Sequence, residues 1–344
     1  MMRTALIVGV AGTQLSRDEA QFLKDARPVG FILFARNLKD HAQIRALISD
    51  VRVAVGADDL LILIDQEGGR VQRLRPPLGR ALPPAADYGR LYAVDPAAAV
   101  LAAYEATRLL AADLTELGIN TDCAPVLDLP VEGAHDIIGD RAYGRSVDQV
   151  VALAKAVGEG FMAGGVVPVI KHIPGHGRAT ADSHLALPIV TESRTELTAT
   201  DFAPFKALNH MPAAMTAHVV FRDIDATAPA STSALVTRDI IRGEIGFDGL
   251  LMSDDLSMKA LAGPMQARAE SVIAAGSDLA LHCSGDLTEM REAAAGSGTL
   301  AGRAKQRFET AVNITKATRP FDSAAAEAQL AKVLAITAGR AESV

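Results

Sequence analysis

Short apolar runs rich in Val, Ile and Leu alternate along this chain with longer stretches in which apolar positions recur at helical spacing. Eight runs have the length and composition of buried strands: Ala5–Val10, Gly30–Phe34, Leu60–Asp65, Ile119–Leu127, Val166–His172, Ala213–Val219, Leu250–Asp254 and Leu279–Cys283. The stretches between them predict helices: Asp18–Asp25, Ile44–Val55, Ala97–Leu117, Val147–Ala163, Glu196–His210, Arg238–Ile245 and Met265–Ala275. Strands that alternate with helices predict a parallel sheet.

The number of strand–helix units decides between the parallel folds. Eight units in 344 residues favour one closed (β/α)8 barrel over an open doubly wound sheet. The open sheet is expected to carry a glycine-rich phosphate turn after its first strand, and residues 9–12 (GVAG) do not have that pattern. We therefore predict an α/β fold with a single TIM-type barrel domain over residues 1–344. The Ala-rich tail from Ala324 predicts a final covering helix.

Composition and charge narrow the partners that this chain can have. The formal net charge is −7 and no block of Lys and Arg occurs, so we expect no nucleic-acid binding. The N-terminal run Ala5–Val10 is too short for a signal peptide and no run reaches transmembrane length, so we expect no membrane partner. The two cysteines, Cys123 and Cys283, lie far apart and suit a reducing compartment. A cytoplasmic monomer is the simplest expectation.

Polar side chains collect where the predicted strands end. The residues at or just past these C-terminal ends are Asp65, Glu67, Asp128, Lys171, His172, His218, Asp254 and Asp255. In barrel enzymes this face carries the chemistry, whereas polar residues at the other face serve stability. Carboxylates, Lys and His delivered to one rim by several strands favour an enzyme over a scaffold.

The richest segment lies between residues 171 and 184, where KHIPGHG (171–177) ends an apolar run and ADSH (181–184) follows. His172 and His176 have the spacing of a helical zinc site, but Pro174 and its neighbouring glycines break a helix, so we expect no metal. Lys171 is compatible with two interpretations: a Schiff-base lysine, or a fixed cation that binds a hydroxyl or carboxylate. Asp182 could orient His184 as an acid/base, or it could cap a turn.

Two further segments carry candidate carboxylates. Asp65 and Glu67 share one face of an extended chain and could grip a sugar diol, or form an internal salt bridge at the rim. Asp254 ends a predicted strand and is a candidate nucleophile; the alternative is a cap for a helix over Leu256–Leu261. Because strand side chains alternate, we expect only one of Asp254 and Asp255 to face the barrel axis.

Four motifs occur in one order along the chain: DQEGGRVQR at 65–73, GDR at 139–141, KHIPGHG at 171–177 with TADSH at 180–184, and SDDLSM at 253–258. Together they resemble glycoside hydrolase family 3, and within it the bacterial β-N-acetylglucosaminidases of cell-wall recycling. The motifs span most of the predicted barrel. The chain looks like the compact single-barrel type, without the additional C-terminal α/β domain of larger relatives.

The resemblance implies a retaining exo-β-N-acetylglucosaminidase that needs no cofactor. It implies that Asp254 is the nucleophile of a covalent glycosyl-enzyme, and that His184 is the general acid/base with Asp182 as its partner. The residues that would bind the N-acetylglucosamine unit are Asp65, Arg73, Arg141, Lys171 and His172. The implied substrate is a muropeptide, in which N-acetylglucosamine is β-linked to an anhydro-muramyl unit with or without a peptide.

Two other functions stay open at this point. A Schiff-base lyase or aldolase centred on Lys171 predicts activity that survives Asp254→Ala and is lost in Lys171→Ala. A non-catalytic sugar-binding barrel predicts binding without turnover. We also expect the loop that carries His184 to move, because Gly175 and Gly177 lie near its start.

Overall fold

A computed structural model describes residues 2–133, 136–179 and 187–341. Its centre is a closed barrel of eight parallel strands in which each strand pairs with its neighbours in sequence order. The strands are β1 Thr4–Val8, β2 Pro28–Leu33, β3 Leu61–Ile64, β4 Thr121–Asp122, β5 Val167–Ile173, β6 Ala213–Thr216, β7 Leu250–Asp255 and β8 Leu279–His282. The predicted (β/α)8 barrel is confirmed.

Helices follow the strands and form the outer layer. They are α1 Arg17–Ala26, α2 His41–Val55, α3 Ala85–Val94, α4 Pro96–Glu116, α5 Val147–Ala163, α6 Arg194–Ala199, α7 Ala203–Ala207, α8 Met265–Ala274, α9 Leu287–Ser297, α10 Gly302–Ile314 and α11 Ser323–Ala341. A π-helix, Val236–Glu244, precedes β7. Among the described residues, no helix is both long and apolar enough to cross a membrane.

Three predicted elements differ from the observed ones. The helix expected over Glu196–His210 is broken into α6 and α7, because Pro204 lies in the first turn of α7 and cannot donate a backbone hydrogen bond. The strand expected over Ile119–Leu127 pairs as a strand only at Thr121–Asp122, since Pro125 interrupts the ladder. The helix expected over Arg238–Ile245 is the π-helix Val236–Glu244. The alternative in which Asp254 caps a helix over Leu256–Leu261 is wrong, since these residues form turns.

The apolar residues form two layers on the two faces of the barrel strands. Ile7, Leu63, Val169 and Met252 point inward and pack into one cluster in the barrel interior. Phe308 of α10 belongs to the same cluster, so α10 closes the bottom of the barrel. The alternate residues point outward and pack against the helices. Because side chains fill the barrel interior, a ligand-binding site is expected at the C-terminal ends of the strands.

The C-terminal helix α11 packs against α4 and buries Ala326, Leu330 and Val333. The described part of the Ala-rich tail from Ala324 lies within this helix.

Candidate active site

A cavity of about 370 Å³ opens at the C-terminal ends of the barrel strands. This volume lies within the range that holds a small ligand. Six of the sequence-predicted site residues line it together: Asp65, Arg73, Arg141, Lys171, His172 and Asp254. Apolar side chains complete the wall, among them Phe34, Met215 and Met258. Residues far apart in sequence are therefore gathered at one rim, as the strand pattern predicts.

One wall of the cavity is a chain of alternating charges. The Lys171 ammonium lies 3.0 Å from Asp65 and 2.6 Å from Glu67. Arg73 extends the chain by donating to Asp65 at 2.9 Å. Arg141 extends it at the other end with two hydrogen bonds of 2.8 Å to the Glu67 carboxylate. We call these five residues the ionic wall; each carboxylate in it is shared by two cations.

The ionic wall keeps its charges at neutral pH. Burial alone would raise the pKa of the Asp65 and Glu67 carboxyls, but the neighbouring cations hold the pKa of Asp65 well below its usual range and lower that of Glu67 to about 2. Burial would also lower the pKa of Lys171, but Glu67 and Asp65 raise it above its ordinary value. A Schiff-base lysine needs a lowered pKa, so the surroundings of Lys171 favour the fixed cation.

A buried carboxylate behind the cavity orients the two histidines of the KHIPGHG motif. Asp128 is 1% exposed, and its carboxylate lies 2.7 Å from Nδ1 of His172. The same carboxylate accepts the backbone N–H groups of His172 and, at 2.7 Å, of His176. With Nδ1 bonded to Asp128, Nε2 of His172 is the ring atom directed away from this carboxylate. Burial and the neighbouring His172 lower the pKa of His176 to about 4, so that ring is neutral at pH 7.

Asp254 and Asp255 both lie in the cavity wall, which corrects the expectation that only one would. Strand alternation is interrupted because the β7–β8 register shifts between Met252 and Asp255. The two carboxylates still differ in use. Asp255 accepts the backbone N–H of Cys283 at 3.0 Å and bonds both the N–H and the hydroxyl of Ser257. Asp255 therefore ties β7 to β8, and Asp254 is the carboxylate suited to chemistry.

The remaining predicted catalytic residues, Asp182 and His184, lie outside the described residues, as does the segment whose movement is expected. The described residues contain no group of three or more His, Cys, Asp or Glu side chains that could hold a metal.

Two residues to which the family resemblance gives no role contribute to the site. Glu67 joins Lys171 to Arg141, which is the internal salt bridge considered for this segment, and Asp128 orients His172. Both stand at strand ends in the sequence, which places them among the expected rim residues. Their partners are 74 and 44 residues away, and only the barrel closure brings these partners together.

The upper rim of the (β/α)8 barrel places the Asp254 carboxylate and the charged wall at one cavity, an arrangement compatible with a glycoside hydrolase. The model of the glycosyl hydrolase family 3 N-terminal domain matches residues 4–314. The chain belongs to glycosyl hydrolase family 3 and is a glycoside hydrolase of the β-N-acetylhexosaminidase type.

Individual relatives agree with this assignment. A β-hexosaminidase of Bordetella pertussis is 40% identical over 288 residues, which covers 83% of this chain and 81% of the relative. A β-hexosaminidase of Methylococcus capsulatus is 42% identical over 278 residues, covering 80% of this chain and 81% of the relative. The structure is similar to that of NagZ from Neisseria gonorrhoeae in complex with N-trifluoroacetyl-D-glucosamine, with a TM-score of 0.85 and 33% identity; 98% of each chain is covered.

Proposed function

We propose that this protein is a retaining exo-β-N-acetylglucosaminidase that removes terminal N-acetylglucosamine from peptidoglycan fragments. The observation that carries the proposal is the arrangement of Asp254 and the ionic wall around one cavity of sugar size. The wall supplies directed donors and acceptors for hydroxyls, and Asp254 supplies an anion for the anomeric carbon.

The ionic wall and His172 bind the non-reducing sugar. The wall residues that line the cavity are Asp65, Arg73, Arg141 and Lys171. Their remaining donors and acceptors can bind adjacent sugar hydroxyls. Because Asp65 and Lys171 are already paired, neither must be desolvated as a lone ion when the sugar enters. The wall is thus preorganised for a neutral ligand.

The reaction proceeds in two displacements. Asp254 attacks the anomeric carbon while His184, oriented by Asp182, donates a proton to the departing glycosidic oxygen. Water then attacks the same carbon, gives its proton to the now neutral His184, and releases Asp254 as a carboxylate. Two inversions retain the anomeric configuration. Imidazole, with an ordinary pKa of about 6.5, can donate and accept the proton near neutral pH.

The substrate class rests on the family and on a relative. The Neisseria gonorrhoeae NagZ structure holds N-trifluoroacetyl-D-glucosamine, which supports an N-acetylglucosamine unit in the cavity. The resemblance to the cell-wall-recycling type supports an anhydro-muramyl unit, with or without peptide, as the leaving group. The proposal includes a monomeric enzyme that acts in the cytoplasm. The proposal takes residues 1–344 as one catalytic domain, which the packing of α11 on α4 supports.

Covalent labelling tests the mechanism directly. A 2-acetamido-glucosyl fluoride with a fluorine at C5 slows hydrolysis of the glycosyl-enzyme, so the labelled peptide can be identified by mass spectrometry. We expect the label on Asp254 and none on its neighbour Asp255. A label on any other carboxylate would remove Asp254 from the nucleophile role, and turnover without any covalent adduct would contradict the two-step reaction.

The role of His184 has its own test. His184→Ala should lower kcat by about 10²- to 10⁴-fold for a substrate with a poor leaving group, and far less for a 2,4-dinitrophenyl glycoside, whose leaving group needs no proton. An equal loss for both substrates would exclude His184 as the acid. Binding of the chromogenic substrate without any turnover by the wild-type protein would instead support a sugar-binding barrel.

A further inference from the structure

The backbone ladder beside the nucleophile strand stops before it reaches the nucleophile. Strand β7 pairs with β6 as far as Met252, which lies opposite Met215, and β6 itself ends at Thr216. The segment from Ser253 to Asp255 therefore extends beyond the β6–β7 ladder. One edge of this segment needs support that the sheet does not provide.

The other edge of the segment is held by β8. The Ser253 hydroxyl accepts the N–H of Leu281 at 3.1 Å. The N–H of Leu256 donates to the carbonyl of Leu281 at 2.8 Å. These two bonds replace the regular ladder where the β7–β8 register shifts.

A buried imidazole holds the edge that faces β6. His218 follows β6 and is fully buried, and its Nε2 lies 3.0 Å from the carbonyl oxygen of Asp255. A carbonyl can only accept, so Nε2 carries the hydrogen, and Nδ1 is hydrogen-bonded to the Ser231 hydroxyl over 2.7 Å. Ser231 is itself fully buried, and its own N–H bonds the carbonyl of Ala217. The ring is therefore fixed at both nitrogens.

The contact between His218 and Asp255 extends to the carboxylate of Asp254 through the backbone of Asp255. The N–H of Asp255 donates to Oδ1 of Asp254 at 2.8 Å. The peptide group between Asp255 and Leu256 is clamped by His218 at its carbonyl and by Leu281 at its N–H. Clamping this peptide group restricts the rotation of Asp255, and with it the direction of the N–H that touches the Asp254 carboxylate.

We propose that His218 is a positioning residue for the glycosidase reaction, which holds Asp254 in its attacking geometry through the backbone of Asp255. Because His218 is fully buried, it acts through Asp255 and does not touch the sugar. The inference rests on the proposed role of Asp254 as nucleophile. Correct placement of the attacking oxygen affects the rate of both displacements and leaves sugar binding by the ionic wall unchanged.

Two amide substitutions separate this role from a general structural one. His218→Gln can present its amide N–H near the position of Nε2 and keep the bond to Asp255. His218→Asn places its amide near Nδ1 and keeps the bond to Ser231 alone. We expect His218→Asn to lower kcat by about 10- to 100-fold with KM changed less than about twofold, and His218→Gln to recover most of that loss.

Thermal unfolding of both variants is the control, and similar midpoints are expected. If His218→Asn does not fold, Ser231→Ala provides the test: it releases the ring at Nδ1 and should lower kcat several-fold at unchanged KM. Equal kcat values for the Asn and Gln variants, a loss confined to KM, or full activity of Ser231→Ala would overturn the proposal.

Labelling of the wild-type enzyme with the fluorosugar, run in parallel, keeps the two proposals apart. If the label is on Asp254 and the two His218 variants have equal kcat values, only the proposed role of His218 is rejected. A label elsewhere rejects the assigned nucleophile, whatever the His218 variants do.

Discussion

The two sides of the active-site cavity are held by different kinds of interaction. The side formed around β3 and β5 is the ionic wall, in which Lys171 forms ion pairs with both Asp65 and Glu67. The side formed by the end of β7 is held by hydrogen bonds from the imidazole of His218 and from backbone N–H groups. The side proposed to bind the sugar is thus fixed by charge, and the side proposed to react with it is fixed by hydrogen bonds.

This difference separates the pH dependence of binding from that of catalysis. The wall keeps the pKa values of Asp65 and Glu67 low and that of Lys171 high, so its charges do not change between pH 5 and 9. A change in kcat/KM within this interval should therefore come from groups outside the wall: the catalytic groups and, near pH 8, Asp122 behind it. Three substitutions test the difference between the two sides.

The largest effect is expected on the reacting side. Asp254→Ala should lower kcat by on the order of 10⁴-fold or more, because it removes the attacking oxygen, and should leave sugar binding intact. Asp255→Asn is the matched control: it weakens the tie between β7 and β8 and keeps the nucleophile, so a much smaller loss is expected. Steady-state kinetics with a chromogenic N-acetylglucosaminide measures both. Comparable losses for the two variants would mean that Asp254 has no special role.

The next effect is expected on the binding side. Lys171→Met leaves Asp65 and Glu67 buried without the cation between them, and should lower the free energy of unfolding by about 3–5 kcal/mol and raise KM. Lys155→Met, which breaks an exposed pair with Glu159, is the control and should change stability by less than about 1 kcal/mol. Denaturant unfolding measures both variants. An equally small change would show that the wall contributes little to stability.

The smallest effect on activity concerns Asp122, which lies directly behind the ionic wall. Asp122 is fully buried, accepts the N–H of Gln66 at 3.0 Å, and its second oxygen has no partner among the described residues. Burial raises the pKa of Asp122 to about 8; Lys171 opposes the rise and Asp65 adds to it. A neutral acid here keeps a third anion away from the wall.

The direction in which pH changes the contribution of Asp122 to stability follows from its pKa values in the folded and the unfolded chain. In the unfolded chain Asp122 ionises near pH 4, whereas in the folded protein it keeps its proton up to about pH 8. Folding therefore takes up a proton between these values, and the contribution of Asp122 to stability becomes less favourable as pH rises from 4 to 8. Asp122→Asn lacks this proton uptake, so its stability relative to the wild type should rise through the same window and level off above pH 8.

Unfolding free energies at several pH values test this prediction. The difference between Asp122→Asn and the wild type should grow by up to about 1.4 kcal/mol per pH unit within the window. A difference that stays constant from pH 4 to 8 would show that Asp122 is ionised in the folded protein. Activity at pH 7 should change little, because the amide replaces a group that is already neutral.

The barrel could be predicted because each strand repeats one physical signal. Eight apolar runs bounded by turns and separated by helical stretches are enough to define the closed sheet, and the strand ends mark the rim of the site. The family motifs then assigned five candidate ligand-binding residues and Asp254, and these six residues lie at one cavity. The motifs identify the residues and their order along the chain, whereas the closure of the barrel determines the distances between them.

Other features depend on contacts that no local pattern contains. The presence of both Asp254 and Asp255 in the cavity wall results from a register shift between β7 and β8, which depends on two strands at once. The support that His218 gives to Asp255 depends on where β6 ends relative to β7. The sequence alone does not distinguish a Schiff-base lysine from a fixed cation at position 171. The positions of Glu67 and Asp65 on either side of Lys171 favour the fixed cation.

The burial of the ionic wall has a consequence for the conditions under which the enzyme can work. Dissolved salt weakens attractions between exposed ions, but it screens buried pairs far less. Lys171 and Glu67 have side chains that are only 3% and 6% exposed. The proposed binding of the sugar by the ionic wall should therefore persist at ionic strengths that screen the surface ion pairs of the same protein.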